Sequence, residues 1–274
     1  MIDMNNKNNF NVLLLNDLCA YGKASLTINI PILSYLGIKV SPLVSTILSN
    51  HTAFDSFYAF DLTEPLEKIV EELKIRNPKF DAFYLGWISS EKQSLIVKDI
   101  IKHFDVNIIL IDPILGDNGK LYPSMSDKHV NSMKEMIKYA DIVTPNITEL
   151  AILLDKDPSI EYREEEVRNM AEELSKMGPK AVIVTSVIKD KDIGCLYYQN
   201  DNTASIYYPK IDISIPGTGD AFSSSLLGYI LKGDSIENAL KKSAEFIYNS
   251  VKESTEDNDD IVYGISIENR LHLL

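Results

Sequence analysis

The feature that most constrains this chain is an alternation of two patterns. Short runs rich in Val, Ile and Leu, too short for helices, occur at 11–15 (NVLLL), 39–47 (KVSPLVSTI), 80–86 (FDAFYLG), 107–113 (NIILIDP), 141–145 (DIVTP) and 180–186 (KAVIVTS). Strands buried on both faces read this way. Between them lie amphipathic segments. Residues 64–76 put Leu66, Ile69, Val70 and Leu73 on one face, with acids in the first turn. Residues 91–104 do the same with Leu95, Ile96, Ile100, Ile101 and Phe104, and 163–177 with Val167, Met170, Ala171 and Leu174 before Gly178. Strands joined through helices run parallel by right-handed crossovers, so the alternation predicts a doubly wound α/β fold, a mostly parallel sheet with helices on both faces.

Some segments break the rhythm. GCLYYQ, a polar turn and SIYYPKIDI over 193–213 predict antiparallel edge strands, and residues 213–215 are expected to end a strand. Residues 24–36 look helical except for Pro31, which predicts a kink or a helix start there. The run KESTEDNDD, 252–260, reads as an exposed acidic loop. Residues 1–10, polar and Asn-rich, are expected to form a flexible arm before a single domain over 11–274, and a chain 45% hydrophobic can bury a core of that size.

Composition narrows the partners. With 27 basic and 40 acidic residues the net charge is −13, a field that repels nucleic-acid backbones and anionic lipid surfaces. Cys19 and Cys195 form neither a disulfide framework nor a thiolate zinc site. No apolar run has membrane-spanning length and the N-terminus lacks a secretory pattern, so a cytoplasmic location is expected.

In open parallel sheets, ligands bind beyond the carboxyl ends of the strands, and four strand-end segments are site candidates. In SIPGTGDAF, Gly217 and Gly219 permit a tight turn and close backbone approach, and the helix expected over 221–232 offers its unpaired N–H groups to an anion. Asp220 there is either an N-cap or a base that takes the proton of an attacking hydroxyl, as in a kinase. In IDPILGDNGKLYP, Asp112 and Asp117 suit Mg²⁺, which takes one or two carboxylates plus phosphate oxygens; the alternative is an Asn-Gly turn with a capping Asp. In TPNITE, Asn146 and Glu149 have the spacing of a capping box, and Glu149 is alternatively a metal or water ligand. Thr185 and Ser186 end a strand with hydroxyls suited to a nucleotide phosphate or to local backbone.

These segments carry a resemblance. GTGDAF resembles the C-terminal signature of the ribokinase-like kinases, PNITE is similar to their Asn-x-x-Glu metal motif, and DPILGDNGKLYP resembles the Asp-Pro-Val-x-Gly-Asp-x-Gly-x-x-Tyr segment of pyridoxal kinases. NDLCAYGKASLTINIPILSYLGIKV, STILSNHTAF and FDAFYLGWISS are similar to the N-terminal half of that family, so the resemblance runs in unbroken order over roughly 11–250. It implies a ribokinase-like fold and transfer of phosphate from ATP, with Mg²⁺, to the 5′-hydroxymethyl group of pyridoxal, pyridoxine or pyridoxamine, a salvage route to pyridoxal phosphate. A homodimer is implied as well, and a need for a monovalent cation such as K⁺ stays open.

Carried onto this chain, the resemblance makes Asp220 the base, with Gly217, Thr218 and Gly219 around the transferring phosphoryl group. It makes Asp117 and Glu149 the organisers of Mg²⁺, and puts Asp112, Thr144, Asn146, Thr185 and Ser186 on the nucleotide side. Asp17, Ser45, His51 and Trp87 would face the vitamer. Trp87 replaces the family's tyrosine, and an indole still stacks on a pyridine ring. Asp17 replaces a common serine, a charge expected to favour the amine of pyridoxamine. Ala53 and Phe54 stand where many relatives have Gly-Tyr.

The rivals are a hydroxymethylpyrimidine kinase of thiamine synthesis, a sugar kinase, and a vitamer-binding protein without turnover. The first usually opens with Gly-Gly-Ala-Gly-Ile-Gln and often has Cys in place of Asp220; the second usually carries an N-terminal Gly-Gly and an inserted β lid. The third is expected to lose Asp220 or the glycines, which this chain retains.

Overall fold

Leu13, Leu15, Phe83, Leu85, Val182 and Val184 turn to one side of a sheet, and Val12, Leu14, Ala82, Tyr84, Ala181 and Ile183 turn to the other, all of them buried. Each apolar run thus serves two cores at once, which is why it is continuous rather than alternating. The computed structural model describes residues 9–274.

In chain order the elements are β1 (Asn11–Tyr21), α1 (Leu26–Tyr35), β2 (Lys39–Asn50), β3 (Ala59–Asp61), α2 (Thr63–Arg76), β4 (Ala82–Leu85), α3 (Glu91–His103) and β5 (Ile108–Ile111). A small hairpin, β6 (Gly116–Asp117) and β7 (Lys120–Leu121), precedes α4 (Asp127–Ile137), β8 (Ile142–Val143), α5 (Ile147–Leu153) and α6 (Glu164–Ser175). Then come β9 (Ala181–Lys189), β10 (Asp192–Gln199), β11 (Asn202–Pro209), α7 (Thr218–Leu231) and α8 (Ile236–Glu256).

The main sheet has the order β11-β10-β9-β8-β5-β4-β1-β2-β3. Pairs from β2 across to β9 are parallel, while β3, β10 and β11 add antiparallel edges. Helices α2 to α6 supply one core (Leu66, Val97, Met133, Leu150, Val167), and α1, α7 and α8 the other (Ile28, Leu226, Phe246). The doubly wound α/β architecture and the antiparallel edge are therefore present.

Several expectations need correction. Of the expected N-terminal arm, residues 1–8 lie outside the described residues, and Phe10 packs on the core while its carbonyl accepts the Lys39 N–H at 2.8 Å. Helix α1 begins at Leu26 rather than at Pro31, and Ile28, Ile32 and Leu33 are buried in the same core as α7. The last edge strand stops at Pro209, so residues 213–215 are an irregular approach to α7 rather than a strand. Proline has no N–H to continue a ladder.

The acidic run is not simply a loop. Its first part completes α8, and beyond it Asp257 and Asp259 close on the buried guanidinium of Arg270 at 2.8 and 2.9 Å, with Glu253 at 3.8 Å. Arg270 also donates to the Ser266 carbonyl at 2.8 Å. The charge pattern was visible in the sequence, but its cationic centre lies more than ten residues further on.

Removing a buried ion-pair partner strands the charges it held, at about 3–5 kcal/mol. The acids here are partly solvated, so Arg270→Ala is expected to lose about 3 kcal/mol of stability by urea unfolding, at the low end of that range. A loss within the error of the measurement would show that the segment after α8 is held by its apolar residues alone.

Candidate active site

β2 carries one extra residue opposite β1: Asn16 aligns with Val44 and Leu18 with Ile47, leaving Ser45 and Thr46 facing Asp17. Such bulges redirect side chains at sheet ends. The Ser45 carbonyl, freed from the ladder, accepts from Leu62 N–H at 3.0 Å and Gln93 Nε2 at 2.8 Å. Ser45 Oγ and Thr46 Oγ1 are buried without a hydrogen-bond partner, as is Trp87 Nε1 nearby on the loop after β4. Buried unpartnered polar atoms are costly unless something outside the chain meets them.

Asn16 joins this wall to the rest. Its Oδ1 accepts from Trp87 N–H at 2.8 Å and Asp17 N–H at 3.0 Å, and its Nδ2 donates to Asn29 Oδ1 at 3.0 Å and Asp220 Oδ1 at 3.2 Å. Gly86 makes room for it, since a Cβ there would come within 2.5 Å of the Asn16 amide. Asp17 accepts from Ser25 Oγ and, at 3.4 Å, from Cys19 Sγ; burial pushes its carboxyl above the ordinary range. His51 packs against Phe54 with centroids 4.6 Å apart and planes tilted by 34°, its Nε2 lies 3.3 Å from the Tyr263 carbonyl, and burial lowers its pKa.

The start of α7 sits at the centre. Gly217 adopts φ 86 beside the Lys23 carbonyl and Ile265, a backbone turn that favours glycine. Gly219 faces open space, so nothing crowds an anion approaching the free first-turn amides. Asp220 is not a cap: α7 has no side-chain N-cap bond, and the carboxylate turns toward Asn16 and the Ser25 N–H, at 2.8 Å from the latter. Burial is the main reason its pKa is pushed up to about 6, with repulsion from Asp17 adding to it.

A second acidic group lies across α7. Asp112 Oδ2 accepts from Ser223 Oγ at 3.0 Å and from Tyr84 OH at 3.4 Å, and Ser223 lies 2.9 Å from Thr144 Oγ1. Glu149 completes the expected capping box with Asn146, both bonds being 2.9 Å, and its other oxygen accepts the Leu115 N–H at 2.9 Å. Asn146 Nδ2 in turn holds the Gly116 carbonyl at 2.8 Å, which fixes the β6–β7 hairpin carrying Asp117. Burial, and then its neighbours' charges, raise Asp112 well above the ordinary carboxylate range; burial takes Glu149 up to about 7 and raises Asp117. Thr185 joins this side through its N–H to the Pro145 carbonyl at 2.9 Å, and Ser186 takes the left-handed φ of 59.

The strongest influences on these carboxylates are burial, one another and neutral donors; no lysine or arginine is among them. Among the described residues no three of His, Cys, Asp and Glu form a cage for a metal. One or two hard carboxylates lacking a cation, on a face that also suits phosphate, fit Mg²⁺, which takes its remaining ligands from phosphate and water.

The sequence-derived residues thus fall into a group on β1, β2 and the loops after β2 and β4 (Asp17, Ser45, His51, Trp87), a central group (217–220) and an acidic group (Asp112, Asp117, Thr144, Asn146, Glu149, with Thr185 and Ser186). Sequence reasoning passed over Asn16, Ser25, Asn29, Tyr84, Tyr122 and Ser223. Tyr122, raised by burial and by the surrounding acids, stood inside a motif already singled out; the others bond across long separations that no local pattern reveals.

A family described as phosphomethylpyrimidine kinase matches residues 46–262. The chain belongs to that family. A crystal structure from Bacteroides thetaiotaomicron, named as a candidate phosphomethylpyrimidine kinase and determined in a form with pyridoxal, is 37% identical, with TM-score 0.92 over 96% of this chain and 94% of that one. The pyridoxal kinase of Dictyostelium discoideum is 29% identical over 244 residues, 81% of this chain and 79% of its own. The hydroxymethylpyrimidine/phosphomethylpyrimidine kinase of Aquifex aeolicus is 28% identical over 196 residues, 70% of this chain and 72% of its own. In this phosphomethylpyrimidine kinase family member, the family match takes in His51 through Asp220, while Asp17 and Ser25 lie before it.

The raised carboxylates set a pH dependence. A folded-state pKa above the unfolded value means that the folded form binds the proton more tightly, so this stability is complete below about pH 4 and is lost as pH rises through the folded pKa. Asp220 places that loss near pH 6 and Glu149 near pH 7, and the lowered pKa of His51 opposes it. The melting temperature without Mg²⁺ is expected to be highest near pH 5 and to fall toward pH 8, with Mg²⁺ plus nucleotide recovering part of the loss. Calorimetry showing a flat or rising profile would mean that these acids are not buried together in solution.

Proposed function

We propose that the protein transfers the γ-phosphoryl group of ATP to the 5′-hydroxymethyl group of a vitamin B6 vitamer. The observation that carries the reading is Asp220, a carboxylate held by Asn16 and Ser25 at the open first turn of a helix otherwise suited to phosphate. A carboxylate there repels its anion and is explained by a proton it must take. In this reading the acceptor oxygen attacks phosphorus as its proton passes to Asp220, and the bond to ADP breaks in line. The amides of 218–220 hold the equatorial oxygens.

Asp117 and Glu149 would hold Mg²⁺ together with phosphate oxygens, and the ion would neutralise charge on the transferring group. Thr144, Asn146, Thr185 and Ser186 would meet the nucleotide. The acceptor wall supports a polar aromatic ring: Trp87 and His51 offer flat faces, and Ser45 Oγ and Trp87 Nε1 offer unmet hydrogen bonds. The Bacteroides relative's form with pyridoxal supports the same choice.

A hydroxymethylpyrimidine is the second acceptor to weigh, favoured by the family's description and by the Aquifex relative. It is a similar flat heteroaromatic alcohol, so substrate competition decides between them. With ATP and Mg²⁺, ADP release is expected with pyridoxal, pyridoxine or pyridoxamine and much less with hydroxymethylpyrimidine. Turnover of the pyrimidine alone would overturn the vitamer reading.

Asp220→Asn is expected to lower kcat by about 10³-fold, within the range for a lost general base. The base acts when ionised, so kcat/KM should rise with pH through about 6 and then level. An Asp220→Asn enzyme of wild-type rate would place the proton elsewhere.

A further inference from the structure

The turn between β1 and α1 contains a serine that does not behave as helix-starting serines do elsewhere in this fold. Ser90 and Ser235 cap α3 and α8 from extended backbones, each accepting the N–H three residues on. Ser25 precedes α1 with φ 53 and ψ −128 and makes no capping bond. That region is strained for any residue with a Cβ and persists only where the surroundings enforce it. Here they do: the Ser25 carbonyl accepts the N–H groups of Ile28 and Asn29 at 2.9 Å each, and Ala24 and Thr27 bond each other across the turn.

The strained backbone sends the two donors of one buried residue to two different carboxylates. The amide donates to Asp220 Oδ2 at 2.8 Å, and the hydroxyl donates to Asp17 Oδ1. An extended cap of the usual kind would direct the hydroxyl into its own helix. Asp17 and Asp220 lie on β1 and α7, and Ser25 reaches both. Asn16 supplies a further donor to the Asp220 carboxylate and Cys19 one to Asp17, while Asn29 donates to the Asp220 main-chain carbonyl at 3.4 Å.

We propose that Ser25 is a positioning residue that couples acceptor recognition to phosphoryl transfer. Its amide aims Asp220 at the attacking hydroxyl while its hydroxyl holds Asp17 against a polar substituent of the same ring. This rests on the kinase reading above. The hydroxyl and the amide have separable consequences, because alanine removes the first and keeps the second.

The test measures kcat and KM for the best vitamer in wild type, Ser25→Ala, Ser25→Gly, Asp17→Ala and the Ser25→Ala/Asp17→Ala pair, with melting temperatures alongside. Ser25→Ala is expected to raise KM about tenfold, as for a lost hydrogen bond to a charged group, with kcat within about twofold and its acid limb unmoved. Adding Ser25→Ala to Asp17→Ala should raise KM no further. Ser25→Gly, free of strain, should melt no lower than Ser25→Ala but lose kcat as well, since its amide is no longer held on Asp220.

If Ser25→Ala does not fold, the glycine variant carries the same KM test. Unchanged KM, a loss confined to kcat, or a KM effect that persists in the Asp17→Ala background would overturn the proposal while leaving an active wild type, and so the kinase reading, intact. A wild type that turns over no vitamer would overturn both.

Discussion

One side-chain amide carries the geometry of one half of the site. Asn16 is fully buried and has both lone pairs and both protons engaged, by β1, the loop after β4, α1 and α7. An amide offers two acceptor and two donor positions, so no rotation of Asn16 preserves this set. The backbone at Asp17 and Trp87 and the carboxylate of Asp220 are therefore fixed relative to one another before any ligand arrives. That is the preorganisation on which electrostatic catalysis depends. The absence of a side chain at Gly86 is part of the same constraint, because any Cβ would displace the amide.

The electrostatics push the other way. Five carboxylates line the site, each with its pKa raised chiefly by burial, in a chain of net charge −13. Their clustering works against the fold at neutral pH and is the kind of cost that functional sites carry. A cation bound among them would relieve it. The neutral hydroxyls and amides of Ser25, Asn16, Ser223 and Tyr84 moderate the repulsion without cancelling the charge, as a lysine would.

Much of this was legible in the chain, for reasons that differ by element. The parallel strands announced themselves because burial on two faces makes them continuously apolar, and α2, α3 and α6 because one face of each is wet. The GTGD turn and the Asn146–Glu149 box are local patterns, and local patterns survive in a sequence. What stayed hidden depends on distant partners. β3 is three exposed residues with no periodicity; Arg270 is a lone cation until the acids of 253–259 fold around it; and Ser25 looks like an ordinary cap because its strain is invisible without the backbone. Residues 213–215 were misread since a short apolar run before a glycine turn also suits an irregular segment anchored by one buried side chain, Ile215.

The two halves of the site meet on one face of α7. Asp220, Ser223 and Ser224 are three and four residues apart, neighbours on a helix surface. Ser223 holds Asp112, Ser224 accepts from Asn29 at 2.8 Å, and Asn29 accepts from Asn16, which returns to Asp220. Because the rise and twist of an α-helix set that spacing, Asp220 cannot shift along the sheet without dragging Asp112, which Ser223 holds. The separation of these two carboxylates is thus held by a rigid element rather than by a loop. Residues 222–231 of the same helix are almost all buried, so the inner end of this ruler is anchored in the core. Its outer end, where Gly219 faces open space, is the part left free to meet a ligand.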